Sequence, residues 1–188
     1  MKALFILTAG ILSSCAIEKP KYETLQKQGD FEVRKYAAIK VVSAPMEDMG
    51  KRNGSFRKLF KYISGENEAK QKIAMTSPVF MDMGTEKKPE GEAGRMSFMI
   101  PAKVTEQGAP KPDGEDLELS EIEGGTFAVL RFKGWDKEPN RKAATLALGK
   151  IVTKMKLKPI GTHFFSFYDP PWTPELLRRN EIWQRVEL

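Results

Sequence analysis

Twice along these 188 residues the spacing of apolar side chains switches from about two to about 3.6 and back. That double switch limits the chain to a fold in which helices pack on antiparallel strands. The first round opens with strand-like segments at Tyr22–Gln28 and Phe31–Pro45, parted by the turn pair Gly29-Asp30, so a hairpin is predicted. In Phe31-Glu32-Val33-Arg34 apolar and charged groups alternate, and Ile39-Lys40-Val41-Val42 is β-branched; one face should meet the core. From about Asp48 to Ser64 the residues Met49, Phe56, Leu59, Phe60 and Ile63 fall on one helical stripe, with Arg52, Arg57, Lys58 and Lys61 around it. Gly65 is the expected helix stop. Phe80–Met83 and Arg95–Ile100 read as two further strands, with a solvated loop at Gly84–Gly94 between them.

The second round follows an exposed connector, Lys103–Asp116, that holds Gly108, Pro110, Pro112 and Gly114. Leu117–Ile122 and Thr126–Phe132 predict a second hairpin around Gly124-Gly125. A helix from about Pro139 to Leu157 carries Ala144, Leu148, Ile151, Val152 and Met155 inward. Strands near Thr162–Tyr168 and Ile182–Glu187 close the chain. Gly29-Asp30-Phe31-Glu32-Val33 echoes Gly125-Thr126-Phe127-Ala128-Val129. The expectation is one α+β domain built from two similar halves.

The N-terminus reads as an address. Lys2 precedes the apolar run Ala3–Leu12, which is too short to span a bilayer, since that takes about twenty residues. Leu12-Ser13-Ser14-Cys15 then looks like a bacterial lipobox ending at the only cysteine of the chain. Residues 1–14 are therefore expected to be a signal peptide, Cys15 the site of lipid attachment, 15–21 a polar tether and 22–188 the domain. An ordinary signal peptide with an incidental Cys15 is the alternative. Ala16 resembles the outer-membrane sorting class, which implies a lipid-anchored protein of the cell envelope, facing the periplasm if the cell is Gram-negative. Two acyl signals hold a protein where one chain holds only marginally.

Composition excludes several functions. The net charge of +6 is a mild bias, acidic residues lie among the basic ones, and no basic run or recognised module points to nucleic acid. With its cysteine assigned to lipid and its single histidine, His163, inside the apolar run Thr162–Phe167, the chain lacks the usual parts for nucleophilic catalysis or a protein-only transition-metal site. His163 is expected to be structural, and no enzyme activity is expected. Haem differs, because the porphyrin brings four nitrogens and asks only for an apolar slot, cations for its propionates and at most one axial ligand.

Three stretches carry a family resemblance: Lys58-Leu59-Phe60-Lys61-Tyr62-Ile63-Ser64-Gly65-Glu66-Asn67; Lys72-Ile73-Ala74-Met75-Thr76-Ser77-Pro78-Val79; and Phe167-Tyr168-Asp169-Pro170-Pro171-Trp172-Thr173-Pro174 with Arg178-Arg179-Asn180-Glu181-Ile182-Trp183. Together, from about Tyr22 to the end, the chain resembles the SOUL haem-binding family. The resemblance implies a distorted antiparallel β-barrel with two helices, made of two pseudo-repeated halves and akin to effector-binding domains. It implies binding of haem or another tetrapyrrole in a groove along the first helix and the loop before the last strand. The matching positions are Phe56, Leu59, Phe60 and Ile63 for the wall, Lys61 and Arg57 for the propionates, and Trp172 and Thr173 on the loop. The axial ligand is open, with Met75, Met49 and Tyr62 as substitutes for a missing histidine. Each motif also suits a structural part: a rigid turn at Tyr168–Trp172, charge-assisted locking of the last strand by Arg178–Glu181, and a strand entry at Met75–Pro78. A groove for another amphipathic molecule or a partner peptide is the competing function, and a hydrolase is a third.

Overall fold

A computed structural model describes residues 17–46, 52–83 and 94–188, with side chains at 52 and 53 excepted. The expected leader, Cys15, Met49 and nearly all of the loop 84–94 lie outside the described residues. Ten strands form one antiparallel sheet: β1 (Tyr22–Gln28), β2 (Phe31–Tyr36), β3 (Ile39–Met46), β4 (Val79–Asp82), β5 (Gly94–Met99), β6 (Glu118–Ile122), β7 (Gly125–Phe132), β8 (Lys158–Pro159), β9 (Phe164–Phe167) and β10 (Asn180–Glu187). Nine follow the order β1-β2-β7-β10-β9-β4-β5-β3-β6, and β8 pairs with β10. The helices are α1 (Arg52–Ile63), α2 (Ala102–Gln107) and α3 (Glu138–Lys154). The short α2 falls in the segment expected to be a connector. Its buried residue is Val104, which packs on the core under α1.

The first hairpin is as expected, a two-residue turn between Gln28 and Phe31 with Gly29 at φ 60°, which twists the same way as the strands it joins. The second is not a hairpin. β6 pairs with β3 and β7 with β2 and β10, so each half lends a strand to the other. The two links cross where Gly124 approaches Ala37 and Ala38, and a Cβ there would lie 2.8 Å from the Ala38 nitrogen. Only glycine fits that crossing. The echo of Gly29–Val33 in Gly125–Val129 therefore joins neighbouring strands, whereas topology makes β2 equivalent to β6 and β3 to β7. With that change the halves match: β3–β5 answers to β7–β10, β4–β5 to β9–β10, and β4 meets β9 at the centre.

Alternation along the strands sorts side chains to two faces. Val42, Ala44, Met96 and Phe98 pack beneath α1, and Val33, Ala128, Phe165 and Ile182 beneath α3, with Met83 and Phe167 bordering both groups. Both helices thus lie on one face, over opposite halves of the sheet. Tyr36, Phe80, Phe127, Phe164 and Trp183 fill the other face. No helix covers that face in the described residues, yet Trp183 is 1% exposed. The sheet must curl around these side chains, as a barrel does, although its path ends at β1 and β6 without closing.

Candidate functional site

Helix α1 is the element that would present a ligand surface. Its end follows from sequence: Gly65 at φ 116° lets its own N–H reach the Tyr62 carbonyl at 3.2 Å and that of Glu66 reach the Lys61 carbonyl at 3.0 Å, the double bond of a glycine-stopped helix. Asn67, fully buried, then donates to the carbonyls of Tyr62 and Gln71 and accepts from the Gln71 N–H.

The expected stripe splits in two. Leu59, Tyr62 and Ile63 turn into the core, whereas Phe56 is 39% and Phe60 51% exposed. Residues four apart advance only about 40° around a helix while neighbours differ by about 100°. Ser55 and Leu59 therefore set the buried line, and Phe56 and Phe60 ride on its flank. Leu59 and Ile63, expected as groove wall, support the helix from beneath. Phe56 and Phe60 stack with ring centroids 6.3 Å apart and planes 12° apart, and Phe56 meets Phe98 of β5 edge-on at 5.3 Å. The opposite flank carries Lys58, paired with Asp116, and so faces the segment leading into the edge strand β6. The phenylalanine flank accordingly faces the middle of the sheet, where part-exposed Val79, Met83 and Phe167 lie between the two helices.

Two cations accompany the rings. Lys61 is exposed and ion-paired with Glu66 at 3.3 Å; Arg57 is exposed, one turn before it. The ligand candidates fare differently. The buried Tyr62 hydroxyl donates to the Pro110 carbonyl at 2.9 Å, and burial raises its pKa to about 12, so it stays protonated. Met75 is 36% exposed beside Thr76, which is bound to the Met99 carbonyl. His163 belongs to the α3 side: Nε2 lies 3.3 Å from the Thr145 hydroxyl and the ring sits edge-on to Phe165. Burial lowers its pKa against the pull of Asp82.

Trp172 and Thr173 stand on a loop organised by the arginine motif. The buried Arg178 donates to the carbonyls of Pro170 at 3.2 Å and Pro171 at 2.5 Å, and lies over the Trp135 ring at 4.0 Å. Asn180 donates to the Gly134 carbonyl, and the Arg179 N–H to the Asp169 carboxylate. Trp172 is 82% exposed.

Glu181, fully buried, gathers a polar cluster. It accepts from both terminal nitrogens of Arg34, from Arg179, from the Tyr168 hydroxyl and from the Trp183 indole. Burial alone would raise its pKa, but Arg34 and then Arg179 outweigh that and bring it down to about 2. Glu32, ion-paired with Arg34 and Lys27, is lowered as well. Alternation along β2 would leave one face to the core, yet both faces are covered: Glu32 and Arg34 are 6% and 1% exposed. Their sequence signal is the alternation Glu32-x-Arg34-x-Tyr36, which marks a shared face but not its partner. These charges compensate each other inside the sheet.

The family model described as "SOUL heme-binding protein" matches residues 17–185. The chain belongs to this family. It is 28% identical over 177 residues to human heme-binding protein 2, covering 89% of this chain and 85% of that one. Its fold is similar to the C-terminal domain of EcmrR, with a TM-score of 0.58, 15% identity and coverage of 88% and 98% of the two chains. A protein from Listeria innocua described as a hydrolase shares the fold at a TM-score of 0.58 and 9% identity, over 87% and 94%. Family motifs thus map onto the glycine stop and Asn67, the Thr76 tie to β5, and the Arg178–Glu181 lock. Most of what marks this SOUL protein in sequence is architecture.

Proposed function

We propose that this SOUL protein binds haem or a related tetrapyrrole without catalysing a reaction, on the Phe56–Phe60 flank of α1 above the middle of the sheet. The observation that carries the reading is that stacked, half-exposed pair. Apolar rings left in water on a rigid helix suit a flat apolar ligand, whose burial gains roughly 25 cal/mol per Å² removed from water, less ordering costs. Arg57 and Lys61 supply positive charge for the propionates. Haem would bring the iron and its spectrum, while the protein's part is the surface and the cations. With Tyr62 bound to Pro110 and His163 held on the α3 side, the reading needs no strong axial ligand, and modest affinity is expected.

The same reading makes the protein an envelope lipoprotein: residues 1–14 removed, Cys15 lipidated, and the domain held at the outer membrane facing the periplasm. Mass spectrometry of the native protein tests this part. An unmodified Cys15 or retained Met1 rejects it.

Haemin titration tests the first part. A saturable Soret shift is expected in the wild type, weakened in Phe60→Ala. Phe60 is half exposed, so its truncation should cost less than the 3 to 5 kcal/mol typical of buried phenylalanine, roughly, and the fold should survive. A well-folded wild type without a saturable shift rejects haem in favour of another amphipathic ligand.

A further inference from the structure

We propose that the loop carrying Trp172, Leu176 and Leu177 is a membrane-docking surface, the face on which the domain rests against lipid. Trp172, Leu176 and Leu177 are 82%, 77% and 73% exposed. They are not the loose tip of an unstructured segment. Pro170, Pro171 and Pro174 restrict the backbone, and Arg178 clamps the carbonyls of Pro170 and Pro171 from within. The Thr173 N–H bonds to the Pro170 carbonyl and the Leu177 N–H to that of Pro174, closing two tight turns. A rigid scaffold thus holds one indole and two leucines out in water. Clustered exposed apolar side chains mark a contact surface, and tryptophan favours the bilayer interface because its ring is apolar and its N–H polar.

A second observation selects lipid. The chain enters the domain beside this loop. The Glu18 carbonyl accepts from Ser77 N–H at 2.9 Å, its carboxylate accepts from Ala102 N–H, and the Lys19 ammonium lies 5.9 Å from the ring centre of Tyr168, four residues before Trp172. Extended chain covers at most about 3.3 to 3.6 Å per residue, which puts the Cys15 Cα within about 14 Å of that of Lys19. Lipid on Cys15 would emerge close to this loop, and so short a leash gives the domain little choice of which end meets the bilayer. Lys19 and Lys21, both on the surface, suit anionic headgroups. No helix among the described residues is long and apolar enough to cross a membrane, so contact through the loop would be interfacial.

This docking rests on the lipoprotein reading, and the test separates the two. The protein is taken from the membrane fraction of producing cells, weighed by mass spectrometry, and returned to phosphatidylethanolamine–phosphatidylglycerol vesicles with or without brominated acyl chains. If Cys15 proves unmodified, lipidation fails by itself, and coupling this sole cysteine to maleimide-bearing lipid supplies the anchor for the same measurement. Expected is a blue-shifted tryptophan emission, quenched by the brominated chains and shielded from iodide, with the quenched component lost in Trp172→Phe. Trp135 and Trp183 remain as internal references. An anchored protein whose Trp172 stays open to iodide and untouched by bromolipid overturns the proposal. So does shielding of Trp172 in vesicle-free solution with a doubled sedimenting mass, which would make a second copy the occupant.

Discussion

Arg34 and Glu181 stand 147 residues apart and meet through two hydrogen bonds of 3.0 and 3.1 Å, with both side chains almost wholly buried. The pair ties β2 of the first half to β10 of the second across β7, which lies between them. Arg179, Tyr168 and Trp183 satisfy the remaining lone pairs of the carboxylate. Two charges can stay in such a place because each is met by the other and by further hydrogen bonds, from Arg179, Tyr168 and Trp183 to Glu181 and from Arg34 to Glu32 and Tyr36.

Removing one partner strands the other. Glu181→Leu should lower stability by about 3 to 5 kcal/mol, read as an earlier urea midpoint. Arg34→Met with Glu181→Leu should lose less than the sum of the single changes. Strict additivity in that cycle would show that the two side chains are not coupled.

Acid should attack the same cluster. The Glu181 carboxyl is depressed to about 2 from an ordinary value near 4.5, so the unfolded chain takes up its proton first as pH falls. Its stabilising contribution is complete above pH 4.5 and disappears as pH drops toward 2. Glu181→Gln should flatten that part of the stability profile. An unchanged acid limb in this variant would move the titration to another carboxylate.

His163 gives a slope at higher pH. Burial lowers its folded pKa, so the unfolded state binds the proton more readily, and stability should fall as pH drops below about 6.5, the ordinary histidine value. His163→Gln should remove this slope while preserving a haemin spectrum. Loss of the spectrum with the fold intact would make His163 part of the haem site.

Charge at α1 offers a separate contrast. Lys61 pairs with Glu66 in water, and such a pair contributes about 0 to 1 kcal/mol; Lys61→Glu should therefore leave the melting curve nearly in place. Haemin affinity should fall in this variant at low salt, and the gap to wild type should narrow as salt screens the propionates. A gap that ignores ionic strength would argue against a propionate contact.

Much of the frame is legible from side-chain period alone. β1, β2, α1, β7 and α3 lie within a few residues of where alternation and helical spacing put them, and Gly65 stops α1 as its position suggests. Pairing was not legible. Alternation says which way Leu119 and Val129 face, but not that β6 would leave its sequence neighbour for β3. The crossing is written only in Gly124, whose need for space against Ala37 and Ala38 appears once both links are in place. At the site, sequence grouped Phe56 and Phe60 with Leu59 and Ile63 as one stripe, because the difference between the middle of a helical face and its flank is less than one residue's rotation. The burial of Glu32 and Arg34 was not legible either, because Glu181, the partner that compensates Arg34, lies in the distant last strand.

The exchange of strands between halves has a consequence for how such a chain can be divided. A fragment ending before α2 would keep β1–β5 but lose β7 beside β2, β6 beside β3 and β9 beside β4. Three edges would be left bare, each carrying the hydrogen-bonding pattern that the other half normally satisfies. Such a fragment could not simply be a smaller version of the protein. Because the equivalent strands of the two halves carry equivalent pairings, the shape that would satisfy all three edges is a symmetric pair of fragments, β2 of each beside β3 of its twin and the two copies of β4 side by side. Joined in one polypeptide, the arrangement no longer depends on concentration: the second partner is always present, on the same chain.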